Sequence, residues 1–180
     1  AITESYNGTS WTEVNDLNTA RSLLAGAGTN TAALAFGGTP PDTAVTESWN
    51  GTSWTEVNDL NTARKSLAGA GTQTDALAFG GGNPGVIAVT ELWNGTNWTE
   101  VNDLNTARKY LAGCGASNTA SLAIGGSPTT AATELWNGTN WTEVNDLNTG
   151  RFRVGSAGTT TSALVFGGNI PPQTAVTESW

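Results

Sequence analysis

An all-β array of four like units is the fold class this sequence predicts, on three observations. The segment Trp-Thr-Glu-Val-Asn-Asp-Leu-Asn-Thr recurs unchanged from Trp11, Trp54, Trp98 and Trp141, at intervals of 43, 44 and 43 residues. Within each period, short runs of β-branched, aromatic and small residues are separated by glycine- and asparagine-rich turns, with no helix-forming stretch between them. A period in the forties belongs to solenoids and propellers, whose units bury apolar surface only against their neighbours. Regular short strands with tight links narrow this to a β-propeller, a single domain over 1–180.

One period explains the strands in order. Leu23 to Gly28 reads Leu-Leu-Ala-Gly-Ala-Gly, matched by Leu67 to Gly71, Leu111 to Gly115 and Val154 to Gly158. Glycine weakens a strand unless something must come close, and crowding around a central axis supplies that reason. After a short polar turn, Ala32 to Gly38 is expected as the second strand, ending in Gly-Gly. Ala44 to Trp49 alternates apolar and polar residues as a half-buried strand does. Asn50-Gly51 is a hairpin signal, with positive φ expected at both residues, and Thr52 to Val57 is the returning outer strand. Four antiparallel strands per period place the blades at about 21–57, 64–101, 108–144, and 151–180 completed by 1–14. The two tryptophans of each unit are its energetic centre. Burying one removes roughly 150–250 Å² from water, an upper-bound gain of about 4–6 kcal/mol.

Composition excludes several function classes. With 37% hydrophobic and 12% charged residues, the chain is neither disordered nor rich in the long apolar runs of spanning helices, so membrane insertion is not expected. Fifteen acidic residues against seven basic give a net charge of −8 and no cluster of Lys and Arg along the sequence, which argues against nucleic acid as a partner. Histidine is absent. The single cysteine, Cys114, stands where other units have Ala27 and Ala70, and is expected to be a packing residue rather than a nucleophile. Repeated carboxylates create similar environments, whereas acid–base catalysis uses two different ones, so a non-enzymatic protein without cofactor or metal is expected. One Asp per linker falls short of a calcium loop. The Asn-Gly-Thr and Asn-Trp-Thr triplets match the glycosylation sequon but are explained by hairpin geometry and Trp packing. The absence of methionine leads us to expect a processed product or a piece of something longer.

A Gly-Gly pair closing the second strand, an aromatic in the third, a tryptophan in the fourth and a polar linker ending in Arg together resemble the kelch repeat of β-propellers. The resemblance covers the whole chain. It is carried by Gly37-Gly38, Gly80-Gly81, Gly125-Gly126 and Gly167-Gly168, by Tyr6, Trp49, Trp93, Trp136 and Trp180, and by the four outer-strand tryptophans. The aromatic-to-Trp interval is five residues where kelch units usually have seven, and four blades are fewer than the usual six or seven. The near-identical copies also look like kelch-like arrays in predicted virion proteins of marine bacteriophages, which implies an extracellular or virion-associated location. Kelch propellers are mostly binding platforms. The copper chemistry of the kelch-type ring of galactose oxidase needs histidine ligands and is not implied here.

The third-strand sequence occurs twice around the fourth blade, as Ile2 to Tyr6 and as Ala175 to Trp180. Three arrangements follow: a closed four-blade ring with one spare strand, a homodimer exchanging N-terminal hairpins to make an eight-bladed ring, or an excerpt of a longer array. Unpaired strands promote association, and the dimer is slightly favoured among closed rings because four blades leave little axial room.

The second-to-third strand loops vary while their surroundings are nearly copied. They are Thr39 to Thr43, Gly82 to Ile87, Ser127 to Thr130 and Asn169 to Gln173, and they are expected on one face with the linkers. Variable loops on a rigid frame commonly build recognition surfaces. Pro40, Asp42, Asn83, Pro84, Val86, Pro128, Ile170 and Gln173 are therefore candidate ligand-binding residues, the competing reading being relaxed constraint on exposed connections. In the linkers, Asp16, Asp59, Asp103 and Asp146 and the arginines Arg21, Arg64, Arg108 and Arg151 are expected to be structural. The Asp residues would cap turns and each Arg would pair with a carboxylate of its own or the next blade. A polar ring around the pore mouth is the rival. The functional expectation is a recognition or adhesion module binding protein or glycan through the loop face, with a structural spacer or self-assembling scaffold as the alternative.

Overall fold

In the computed structural model, which describes residues 1–170 and 173–180, the chain is all-β and its blades are arranged as a β-propeller. The first blade is β3 (Ala25–Thr29), β4 (Ala32–Phe36), β5 (Thr46–Trp49) and β6 (Trp54–Val57). The second is β7 (Ala68–Gly71), β8 (Ala76–Phe79), β9 (Thr90–Trp93) and β10 (Trp98–Val101), and the third is β11 (Ala112–Ser117), β12 (Ala120–Ile124), β13 (Thr133–Trp136) and β14 (Trp141–Val144). Each is an antiparallel meander, and the small-residue strands β3, β7 and β11 pack side by side innermost.

The fourth blade departs from expectation. It consists of β15 (Gly155–Thr159), β16 (Ser162–Phe166) and β17 (Thr177–Ser179), and residues 1–14 do not complete it. They form a separate hairpin, β1 (Thr3–Tyr6) and β2 (Trp11–Val14). The linker after β2 joins this hairpin to the first blade as the later linkers join consecutive blades. Asn18 donates from its backbone N and Nδ2 to Glu47 Oε2, at 2.7 and 2.8 Å, and Asn15 Nδ2 donates to Thr52 O at 2.9 Å. These bonds hold the hairpin beside the first blade. Among the described residues, β3 and β15 do not pack together as consecutive inner strands do.

Local chemistry sets the strand ends. Gly37 and Gly38 have φ of 69° and 115°, which breaks β4 earlier than the sequence suggested. A Cβ on Gly37 would lie 2.7 Å from the carbonyl oxygen of Arg64, so glycine there lets the next blade's linker dock. The Asn-Gly hairpin also differs from expectation. Trp49 pairs directly with Trp54, leaving a four-residue loop in which only Gly51 has positive φ. Asn50 Oδ1 accepts from the backbone N of Thr52 and Ser53 at 2.9 Å each, an Asx turn that spares Asn the left-handed conformation.

The core lies between blades. Leu34, Phe36, Leu60 and Leu67 meet Trp93 and Trp98 at the first junction, and Leu77, Phe79, Leu104 and Leu111 meet Trp136 and Trp141 at the second. In each, an outer-strand Trp stands edge-on to the preceding blade's Phe, with centroids 5.0 Å apart for Phe36–Trp98 and 4.9 Å for Phe79–Trp141. Its Nε1 donates to a threonine hydroxyl of that blade, Trp98 to Thr46 at 3.1 Å and Trp141 to Thr90 at 3.0 Å. A separate device ties each blade internally. Arg21 pairs with Glu47, Arg64 with Glu91 and Arg108 with Glu134, all buried. Burial pulls Arg64 and Arg108 below the usual guanidinium pKa, partly countered by their glutamates. A buried charge is tolerated only when paired in this way.

Candidate functional site

The linker between buried Arg and the first strand builds a surface on the loop face. In each unit the arginine and the following leucine or valine are anchored, leaving two residues between them. The first of these, Ser22, Lys65, Lys109 or Phe152, bridges to Thr39, Gly82, Ser127 or Asn169 of the variable loop of its own blade. The second, Leu23, Ser66, Tyr110 or Arg153, has φ of 55–56°, a conformation that non-glycine residues seldom adopt.

A hydrogen-bond ladder running between blades holds these four residues. Ser66 N donates to Leu23 O and Tyr110 N to Ser66 O, both at 2.8 Å, and Arg153 N donates to Tyr110 O at 2.7 Å. Strained backbone of this kind persists where the surroundings over-determine it, and it clusters at functional sites. The ladder gathers side chains more than forty residues apart in sequence. The Tyr110 and Phe152 rings lie 6.3 Å apart, and the Arg153 guanidinium sits 4.5 Å from the Tyr110 ring centre and 5.8 Å from that of Phe152. Lys109 Nζ is 5.6 Å from the Tyr110 ring. The Tyr110 hydroxyl is held below its ordinary pKa, first by the Ser66 hydroxyl and then by Arg153. Ser66 Oγ nonetheless makes no hydrogen bond of full geometry, so that contact is a polar approach.

Charge is sorted by this arrangement. Of the seven Lys and Arg residues, four are the linker arginines paired with glutamate inside the blades. The other three, Lys65, Lys109 and Arg153, belong to this one surface. Lys109 and Arg153 meet over the Tyr110 ring, while Lys65 pairs with Asp42 of the bordering loop.

The sequence-predicted loop residues border this surface. Asp42 accepts from Thr39 Oγ1 at 3.0 Å and meets Lys65 Nζ at 2.8 Å; the hydrogen bond from Lys65 holds its carboxyl below the usual range. Asn83 Nδ2 donates to Ala63 O at 2.5 Å, tying its loop to the neighbouring linker. Pro40, Pro84, Pro128 and Gln173 are exposed, and Val86 and Ile170 half-buried. Pro171 and Pro172, within the last loop, lie outside the described residues. The sequence reading did not single out Lys65, Ser66, Lys109, Tyr110, Phe152 or Arg153. The available signal was that these two positions after each linker Arg differ between units while their neighbours are copied.

The linker aspartates do not ring the pore. Asp16, Asp59, Asp103 and Asp146 follow the outer strands, and each Oδ1 accepts from the first residue of the third strand, Thr3, Thr46, Thr90 or Thr133, at 2.8–3.1 Å. Cys114 is buried, and burial pushes its thiol pKa up to about 11, so it stays protonated at neutral pH. No group of three or more metal-ligating residues occurs among the described residues. No protein-family model matches the chain, and no curated protein matches it significantly.

Proposed function

We propose that the chain is a non-enzymatic recognition module that binds a protein or glycan through its variable-loop face, and that the ligand carries acidic groups. One observation carries this reading. Lys109 and Arg153, two of the cations outside the buried pairs, converge with Tyr110 and Phe152 beside loops that differ from unit to unit. A flat aromatic face offers stacking area, and neighbouring guanidinium and ammonium groups offer charge-assisted hydrogen bonds to carboxylate or sulfate. The net charge of −8 disfavours a polyphosphate, whose binding needs many more cations. The kelch-like Gly-Gly and Trp pattern supports a binding platform, and the loose likeness to phage arrays supports an extracellular or virion-borne parent.

The test is binding of the immobilised chain to matched neutral and acidic oligosaccharides and peptides, for the native sequence and a Lys109→Glu/Arg153→Glu variant. Selective binding of the acidic members, weakened about tenfold or more by the double charge reversal, is the expected result. Binding that ignores ligand charge, or that survives the reversal, overturns the reading.

A further inference from the structure

We propose that the loop face seats an aspartate side chain of a partner polypeptide beside Lys109, in the place that Asp42 fills beside Lys65 one blade earlier. This rests on the reading of that face as an acid-recognising surface, and narrows it to one kind of residue at one position.

The two junctions are built alike. The first residue after the linker arginine is a lysine in both, Lys65 entering the second blade and Lys109 entering the third, and each lies against the variable loop of the preceding blade. The backbone frame repeats as well. Gly38 N donates to Arg64 O and Gly81 N to Arg108 O, both at 2.9 Å. Each loop then closes on the second glycine of its pair, Thr43 N donating to Gly38 O at 2.9 Å and Ile87 N to Gly81 O at 3.0 Å. At the first junction the lysine is satisfied from within the chain: Asp42 meets Lys65 Nζ at 2.8 Å and accepts from Thr39 Oγ1 at 3.0 Å.

At the second junction the same lysine has no such partner. Counted from the Gly-Gly pair, Gly82 stands for Thr39 and Gly85 for Asp42, so both side chains that make the internal contact are missing. Their space is open. The Lys109 stem lies 3.5 Å from where a Gly82 Cβ would stand, Gly85 O lies 2.8 Å from that same point, and a Cβ on Gly85 would meet nothing within 4 Å. Among the described residues neither Lys109 nor Arg153 makes an ion pair, although they lie 5.6 and 4.5 Å from the Tyr110 ring centre. Cations gathered at one place without a counter-charge concentrate whichever anion can reach them. The first junction shows which anion fits this frame: an aspartate carboxylate presented by a turn of polypeptide, held by a lysine ammonium through a charge-assisted hydrogen bond. A partner protein that offers an aspartate on an exposed turn therefore supplies at Lys109 what loop 82–87 lacks.

NMR titration of the full chain with three probes tests this: a capped peptide of residues 39–43, Thr-Pro-Pro-Asp-Thr, its Asp→Asn counterpart, and a hexuronate disaccharide. The Asp peptide is expected to bind at a single site, tighter than either other probe by about three- to fivefold, the scale of a half-exposed ion pair. Gly85→Asp, at an exposed glycine with room for a side chain, should supply the carboxylate internally and weaken the Asp peptide by a similar factor. Asp42→Ala should uncover Lys65 and add a second site. Equal binding of the Asp and Asn peptides overturns the proposal, as does a hexuronate that binds as tightly as the Asp peptide. So does a Gly85→Asp chain that binds like the native one, or an Asp42→Ala chain without a second site. If in those cases Lys109→Glu/Arg153→Glu still abolishes selectivity for acidic ligands, the broader reading of the face stands and only the aspartate seat falls.

Discussion

Strands β8 and β16 carry nearly the same sequence, Ala-Leu-Ala-Phe and Ser-Ala-Leu-Val-Phe, and live in different environments. Every residue of β8 is buried, whereas β16 alternates, with Ala163 and Val165 buried and Leu164 and Phe166 exposed by 47% and 46%. An interior blade is covered on both faces and an end blade on one. The same holds for the ion pairs: Glu91 is wholly buried against Arg64, while Glu178 is 12% exposed and poorly aligned with Arg151. Burial in this fold is thus a property of position in the stack rather than of the residue, as expected when stability is a sum of nearest-neighbour interfaces.

The sharpest way to break the comparison is to truncate the same residue in both places. Phe79→Ala is expected to cost about 3–5 kcal/mol of unfolding free energy by urea titration, because it empties a fully packed site. Phe166→Ala should cost about 1 kcal/mol or less, since half the ring is already in water. Equal losses would mean that this face of the fourth blade is covered in solution. The pair of variants therefore also reads the state of that face.

A smaller effect is expected on the inner strands. A Cβ on Gly69 would lie 2.6 Å from the Phe36 ring and 2.8 Å from Gly26 O, so Gly69→Ala should overpack the junction by about 1–3 kcal/mol. Gly26 has no preceding blade to meet, its nearest obstacle being Leu34 O at 3.0 Å on the paired strand. There the loss of backbone freedom in the unfolded chain offsets the contact, and Gly26→Ala should be nearly neutral. A large cost at Gly26 would indicate that another inner strand closes the ring against it.

The mildest probe is acid. Burial pushes the Glu47 carboxyl up, but hydrogen bonds from Arg21, Asn18 and Thr19 outweigh this and hold it below the usual value of 4.5. A depressed folded pKa adds stability that is complete above the unfolded value and is lost as pH falls through the folded one. Unfolding free energy should therefore decline below about pH 4.5, and Glu47→Gln, though less stable at neutral pH, should flatten that decline. An unchanged slope would remove Glu47 from the acid response.

How much was legible follows from what each residue depends on. Strand order and the Gly-Gly breaks could be read because they rest on local propensity and on a pattern repeated four times. The Asn-Gly turn was placed correctly but given the wrong conformation, since its geometry is set by the Asn50 side chain accepting from Thr52 and Ser53 rather than by the dipeptide alone. The linker arginines were expected to meet a carboxylate of their own or the next blade. That it is Glu47 for Arg21, twenty-six residues along, depends on how the linker docks on the third strand.

By itself the sequence determined the all-β class, the period, the strand content of each unit and the positions of the paired tryptophans, because these are properties of runs of neighbouring residues. Tertiary structure alone decided two things: that the N-terminal hairpin sits on the first blade, and that Lys65, Lys109, Arg153, Tyr110 and Phe152 share one surface. Each depends on how one blade stacks on the next, and that stacking joins residues a full period apart through contacts no local stretch of sequence contains.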